Sequence, residues 1–218
     1  TVPDGVSRRT VEVNQLIFED NTQDGWARYA VMPRDNTNAS AFYDTGTQSS
    51  PALALDESWF AVIAEDPNDN VTIGMFNLVD ANIEPVSIRP IFAGEIVSSM
   101  TFAPNRPILF YVAGPNSETE EKALYVLGGD GINETLVRGR FVHVVVSPDS
   151  TFVALTEWQI PELRSQPNYL SLVVVNLTDP RAGRELMFDG AYINSEGRVQ
   201  NRQFIYPLSW RPATPTGS

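Results

Sequence analysis

"VVVSPDSTFVALTE" (residues 144–157) sets two apolar runs around a tight polar corner, Ser147-Pro148-Asp149-Ser150. Proline presets φ at the first turn position, and an aspartate there bonds back to the local backbone, so the chain reverses within a few residues. This hairpin recurs. "LALDESWFAVIAE" (53–65) and "FAPNRPILFYVAG" (102–114) follow the same plan of apolar run, polar corner and β-prone run. Aligned by eye, the second corner residues are Asp56, Pro104 and Pro148, in steps of 48 and 44. A further step of 44 back from Asp56 reaches Glu12, inside "TVEVNQLIFED" (10–20), which has the same shape with a degraded corner. Forward of the fourth unit stands "IYPLSWRPATP" (205–215). Self-similarity at this period marks propellers and solenoids.

Each unit reads as four strands. The first holds "RRTVEV", "LIFED", "ARYAVMP" and "ASAFYDT". The second holds "PALAL", "FAVIAE", "VTIGMFNL" and "EPVSI". The third holds "IVSSMTF", "ILFYVAG", "ALYVLGG" and "ETLVRG", and the fourth "FVHVVV", "FVALTEW", "LSLVVVNL" and "RELMF". β-Branched and aromatic residues dominate these runs, and Pro, Gly, Asn and Asp punctuate them. The best helical candidate, "SETEEKALYVL", turns strand-like before it completes three turns. Four antiparallel strands per repeated unit resemble a β-propeller. The Ser147-Pro148-Asp149-Ser150 corner resembles the hairpin of TolB-like, or PD40, propeller repeats, while the WD and Gly-His signatures of WD40 blades are absent. The resemblance implies an all-β propeller of about four blades plus one strand of a fifth, "FIYPLSW". Residues 1–212 form one propeller domain or propeller fragment, and 213–218 read as a linker or tag remnant.

Composition narrows the function. The chain has 218 residues, a net charge of −12 and no cysteine. Disulfides, thiolate metal sites and cysteine nucleophiles are therefore excluded. An acidic chain with no basic stripe is a poor match to a phosphate backbone, so no nucleic-acid partner is expected. No apolar run nears the length that spans a bilayer, so direct membrane insertion of this segment is not expected. Of the 15 basic residues only Lys122 is lysine, an arginine bias in keeping with a GC-rich bacterial genome. Sequons at Asn38, Asn70, Asn133 and Asn176 are close to what this composition gives by chance.

The catalytic inventory is thin. The only histidine is His143, in the inner strand "FVHVVV" of the fourth unit, and no Gly-x-Ser-x-Gly elbow is present. One histidine without cysteine cannot make a zinc site of the usual kinds. "EDNTQDG" (19–25) and "EDPNDN" (65–70) are oxygen-rich loops, but the twelfth position from Asp20 is Val31, so the EF-hand pattern fails. "GGDG" (128–131) fits a turn between third and fourth strands. No catalytic role and no cofactor are expected.

Loop lengths point to a binding role. "QIPELRSQPNY" (159–169), "PNSETEEK" (115–122) and "DGAYINSEGRVQNRQ" (189–203) fall in the connections that open on one end of a propeller. Trp158, Arg164, Tyr169, Tyr192, Arg198 and Arg202 belong to or border them, and Trp, Tyr and Arg are residues that anchor interfaces. The expectation is a non-catalytic binding or sensor propeller, extracytoplasmic and bacterial, that recognises a protein or small molecule on this face. Two other readings stay open: the accessory propeller of a prolyl oligopeptidase-like peptidase, and a carbohydrate-active propeller. The run containing Phe204, Ile205, Tyr206 and Trp210 is expected to pair either with the first unit, giving a monomer, or with another copy, giving a strand-paired homodimer.

Overall fold

The computed structural model describes residues 15–21, 27–33, 41–45, 51–56, 58–65, 70–79, 85–104, 106–117, 119–161, 168–180, 183–188, 191–193, 196 and 199–201. Every element among them is a strand. The first sheet has the order β1 (Gln15–Asn21), β2 (Ala27–Pro33), β3 (Ala41–Thr45). The second is β4 (Ala52–Leu53), β5 (Trp59–Glu65), β6 (Val71–Asn77), β7 (Ser87–Pro90). The third is β8 (Glu95–Phe102), β9 (Ile108–Pro115), β10 (Lys122–Gly128), β11 (Asn133–Gly139). The fourth is β12 (Phe141–Val146), β13 (Phe152–Gln159), β14 (Tyr169–Asn176), β15 (Arg184–Phe188). All pairings are antiparallel between chain neighbours. The repeat units are thus blades, three of them with four strands. The inner strand expected at 8–13, the strand expected near 204–210 and the oxygen-rich loop residues 22–25 and 66–69 lie outside the described residues.

The corners are held by the same bonds in each complete blade. Ala54 N, Ala103 N and Ser147 N donate to Trp59 O, Ile108 O and Phe152 O, at 2.8, 2.8 and 2.9 Å. Beside each corner, where the second and third strands part, Leu78 N, Gly129 N and Leu177 N donate to Ser58 O, Pro107 O and Thr151 O, at 2.8, 2.7 and 2.8 Å. These bonds make Ala54, Ala103 and Ser147 equivalent, a spacing of 49 and then 44. Asp56 therefore matches Asp149, the third corner residue, and not Pro148. Its chemistry agrees. Asp56 Oδ1 accepts from Ser58 N and Ser58 Oγ, and Asp149 Oδ1 accepts from Thr151 N and Ser147 Oγ. Alignment on residue type had placed aspartate on proline, because both favour turns.

In the fourth corner Ser150 N donates to Ser147 O at 2.8 Å, and Ser150 stands at φ 58°. An L-residue is strained there, and glycine is not. Ser147 Oγ also accepts from Phe152 N at 2.9 Å. The bonds from Ser147 and Thr151 hold the Asp149 carboxyl down at about 2.

Alternation along each second strand divides the core. Leu109, Tyr111 and Ala113 of β9 join Ala61, Ile63, Ile73 and Met75 of the second blade. Phe110 and Val112 join Phe141, Val144, Val153, Leu155, Val173 and Val175 of the fourth. Successive side chains of a strand point to opposite faces, so β9 feeds both interfaces. "GGDG" forms the expected turn between β10 and β11, with Gly131 N donating to Gly128 O at 3.0 Å. The sequon asparagines Asn133 and Asn176 have structural partners: Asn133 Oδ1 accepts from Tyr111 OH, and Asn176 Oδ1 from Thr178 N.

Polar staples tie the blades together. Arg89 of β7 makes two 2.6 Å bonds to Glu95 of β8, with both side chains largely buried. Its guanidinium lies 5.5 Å from the Tyr111 ring and 5.4 Å from the Tyr125 ring, and these rings stack at 5.0 Å. Burial opposes the Arg89 charge, but the Glu95 bonds and the two phenols outweigh it, and the group is held above its ordinary range. Between the third and fourth blades, Arg184 of β15 bonds buried Glu157 of β13 at 2.9 Å and Arg138 O of β11 at 2.9 Å. Gly139 leaves room for this arrangement: a Cβ there would lie 2.6 Å from Glu157 Oε1 and 2.6 Å from the Phe141 ring. On the inner strands Val144 N donates to Ser99 Oγ at 3.3 Å, and Ser99 Oγ lies 3.0 Å from His143 Nδ1. Ser99 Oγ thus bridges two positions of the neighbouring inner strand.

One expected loop is not a loop. Within 189–203 the chain forms an antiparallel ribbon, β16 (Ala191–Ile193) with β17 (Val199–Asn201). The strands are three residues each and flank an Asn-Ser-Glu-Gly turn sequence, too short for alternation to reveal them.

Two tests follow from the corner and the staple. Ser150→Gly is expected to raise stability by about 1 kcal/mol in urea unfolding by relieving the left-handed backbone. Asp149→Ala should lower the midpoint, and Asp149→Asn, which keeps an Oδ1 acceptor, should largely preserve it. Burial pushes the Tyr111 phenol up to about 12 from an ordinary 10.0. A raised folded-state pKa gives stability that is complete below the ordinary value and is lost as pH rises through about 12. Tyr111→Phe should therefore be less stable than wild type at neutral pH and lose less stability on going to alkaline pH, measured by urea unfolding across that range.

Candidate functional site

The antiparallel blade order puts the corners and the third-to-fourth-strand turns at one end, and the long connections at the other. A cleft of about 720 Å³ opens at the corner end, between the third and fourth blades. Its floor is a cross-strand row of the third blade. Phe110 of β9 pairs with Val126 of β10, and Val126 with Glu134 of β11. Ile108, Ile132 and Leu136 extend the apolar lining, and Leu177, Thr178 and the corner residues Asp149, Ser150 and Thr151 supply the opposite wall. Thr151 Oγ1 is buried there without a hydrogen-bond partner.

The wall is acidic. Asp130, Glu134 and Asp149 line it against one base, Arg106. Asp130 Oδ1 accepts from Ile132 N at 3.1 Å, and Asp149 Oδ1 is held by its corner. The exposed Glu134 carboxylate makes no hydrogen bond among the described residues.

Repeat equivalence accounts for the opening. The strand registers match Ser87 of β7 to Glu134 of β11, through Met75 and Val126. They also match Trp59 of β5 to Ile108 of β9, through Asn77 and Gly128. At the interface of the second and third blades, Ser87 Oγ donates to Gly128 O at 2.8 Å, tying the corner end shut. The Trp59 ring covers Gly129, 3.3 Å from where a Cβ would stand. At the next interface an unbonded carboxylate replaces the serine, and an isoleucine replaces the indole.

Of the residues expected to form a binding rim, Trp158 and Tyr169 are at the other end. Trp158 and Tyr169 are half-buried at the adjoining ends of β13 and β14, opposite Leu170 and Gln159. The Trp158 backbone clasps Arg140, which joins the two blades: Trp158 N donates to Arg140 O at 2.9 Å, and Arg140 Nε to Trp158 O at 3.1 Å. Tyr192 lies in β16, whose side chains are not described. Arg164, Arg198 and Arg202 lie outside the described residues. Among the described residues no group of three or more His, Cys, Asp or Glu is placed to hold a metal ion.

Comparison with solved structures identifies the architecture. The β-propeller domain of the trilobed protease from Pyrococcus furiosus, which has an open velcro topology, superposes with a TM-score of 0.53 at 12% identity, over 82% of this chain and 55% of that one. The chain has a β-propeller fold. TolB from Acinetobacter baumannii matches with a TM-score of 0.47 at 11% identity, over 82% of this propeller and 42% of that chain. A putative TolB from Agrobacterium tumefaciens gives 0.45 at 14% identity, over 82% and 64%. The propeller thus spans about half the length of the first two. No family model and no curated protein matches the sequence.

If Glu134 leaves untied what Ser87 ties one blade earlier, restoring the serine should close it. Glu134→Ser is expected to stabilise the chain by about 1 kcal/mol, the usual net worth of one hydrogen bond. An unchanged or lower urea midpoint would mean that the two interfaces are not spaced alike.

Proposed function

We propose that the chain is a non-catalytic binding module: a rigid propeller, working outside the cytoplasm of a bacterium, that holds a partner against one end of the blade ring. The observation that carries this reading is the cleft between the third and fourth blades. Its walls are strands fixed by staples on both sides, and it joins an apolar floor to a few convergent polar groups, the usual character of a binding site. The long-connection end bearing Trp158 and Tyr169 is a second surface of the same module. The extracytoplasmic placement is supported by the TolB-like corner.

A second reading, the accessory propeller of a peptidase, is supported by one observation: the superposable Pyrococcus propeller is a domain of a protease. In that case the parent reading frame continues into a hydrolase domain.

The binding reading is tested with the full chain in a thermal-shift screen against peptide and glycan mixtures, with the mixtures analysed afterwards for turnover. Ligand binding to the native state alone raises the melting temperature by mass action, by about 2.7 kcal/mol of stability at a hundredfold excess over Kd. The expected outcome is a shift without consumption of any component, abolished by Ile108→Trp, which places an indole at the cleft. Turnover of a peptide or glycan would overturn the non-catalytic reading. A shift that persists in Ile108→Trp and vanishes in Trp158→Ala would move the site to the other end.

A further inference from the structure

The cleft has two features that select its occupant. One is charge. Three acidic residues and one arginine line an apolar floor, on a chain of net charge −12. Glu134, at the end of the Phe110–Val126 row, is the carboxylate with no protein donor among the described residues. A cation beside it would gain a charge-assisted bond in a partly desolvated position. The other feature is a strand edge. Glu134 and Leu136 belong to β11, the outermost strand of its sheet, and no described strand pairs with its outer side. Arg184 caps the far part of this strand at Arg138 O, while Asn133, Glu134 and Thr135 at its start are exposed. An open edge beside an apolar trough accepts an extended chain, whose backbone pairs with the edge while alternate side chains enter the trough.

We infer that the cleft takes an extended peptide segment of a partner protein, carrying a lysine or arginine next to a large apolar side chain. The basic side chain meets Glu134. The apolar one lies on Phe110, Val126 and Ile132. The backbone runs along the start of β11. A small cationic amphiphile would satisfy the charge but leave the strand edge unused, and for this reason the peptide is the better fit. The inference rests on the binding role proposed above.

The experiment pans a random linear peptide phage library against the full chain at low salt, then titrates the enriched peptides by fluorescence anisotropy. The expected enrichment is Lys or Arg beside Leu, Phe or Trp. Affinity should fall about tenfold or more in Glu134→Lys, and a peptide with Glu in place of its basic residue should recover it. Because the Glu134 carboxylate bonds nothing in the described fold, the melting temperature of Glu134→Lys should stay near wild type. Peptides lacking a basic residue, affinities indifferent to Glu134→Lys, or no enrichment at all would each overturn the inference. If the selected peptides respond to Trp158→Ala and not to Glu134→Lys, the cleft inference falls and the binding role stands. A concentration-dependent dimer abolished by Glu134→Lys would assign the cleft to a second copy of this chain, and would also overturn the peptide.

Discussion

The second strand of the third and of the fourth blade is buried on both faces, almost wholly by apolar side chains, and this constraint organises the molecule. In β9 and β13 five consecutive residues are buried, so neither face can meet water. A sheet with two apolar faces is unstable alone and must be covered on both sides. Odd-numbered residues of β9 are taken up by the second blade and even-numbered ones by the fourth. The third blade is thus a partition between two cores, with no core of its own. Its rigidity comes from its neighbours. On the other side of the second blade, Phe60 and Phe76 meet at 6.2 Å, and β3 of the first blade lies against β5.

Burial of this kind leaves little room for polar groups, so those that remain are informative. Arg89–Glu95 joins the second blade to the third, and Arg184, paired with Glu157 inside the fourth blade, reaches the third through Arg138 O. A pair buried on both sides, as Arg89–Glu95 is, contributes little net stability over an apolar replacement, but removing one partner costs about 3–5 kcal/mol, because it strands a charge. Such pairs fix how blades seat on one another more than how tightly. The residues around them have adapted: Gly139 is small where Glu157 passes, and Tyr111 and Tyr125 stack beneath Arg89. With both interfaces pinned near the long-connection end, the corner end is where they are free to differ.

Much of this was legible in the sequence. The Ser-Pro-Asp corner announced a hairpin, its recurrence announced blades, and the runs of β-branched and aromatic residues announced strands. The register slipped by one residue at Asp56, because turn chemistry is shared by proline and aspartate and only the backbone bonds tell them apart. The ribbon at 191–201 was missed because three residues cannot display a period of two. The cleft was invisible for a different reason. It depends on a bond that Ser87 makes across an interface and that Glu134 does not make, and no property of Glu134 alone reveals this. Reading it requires the strand registers of two blades at once. The rim expected from Trp158 and Tyr169 had the right end for long connections, yet both side chains are half-buried beside strand ends that also do structural bonding.

A repeated fold makes such differences meaningful. Each outer strand offers the same position to the next blade, and the residue there decides whether the corner end is tied or open. Serine at 87 donates to a carbonyl and closes the gap. Glutamate at the equivalent position 134 is an acceptor when ionised and cannot donate to the matching carbonyl of Asn176, so the same geometry repels where the other attracts. One side chain thus converts a closed interface into an acidic cleft, while the cores on either side of it stay packed. The blade repeat supplies the scaffold, and the departures from the repeat supply the site. In a chain of this kind the residues worth testing first are therefore the ones that break equivalence at polar positions facing a neighbouring blade.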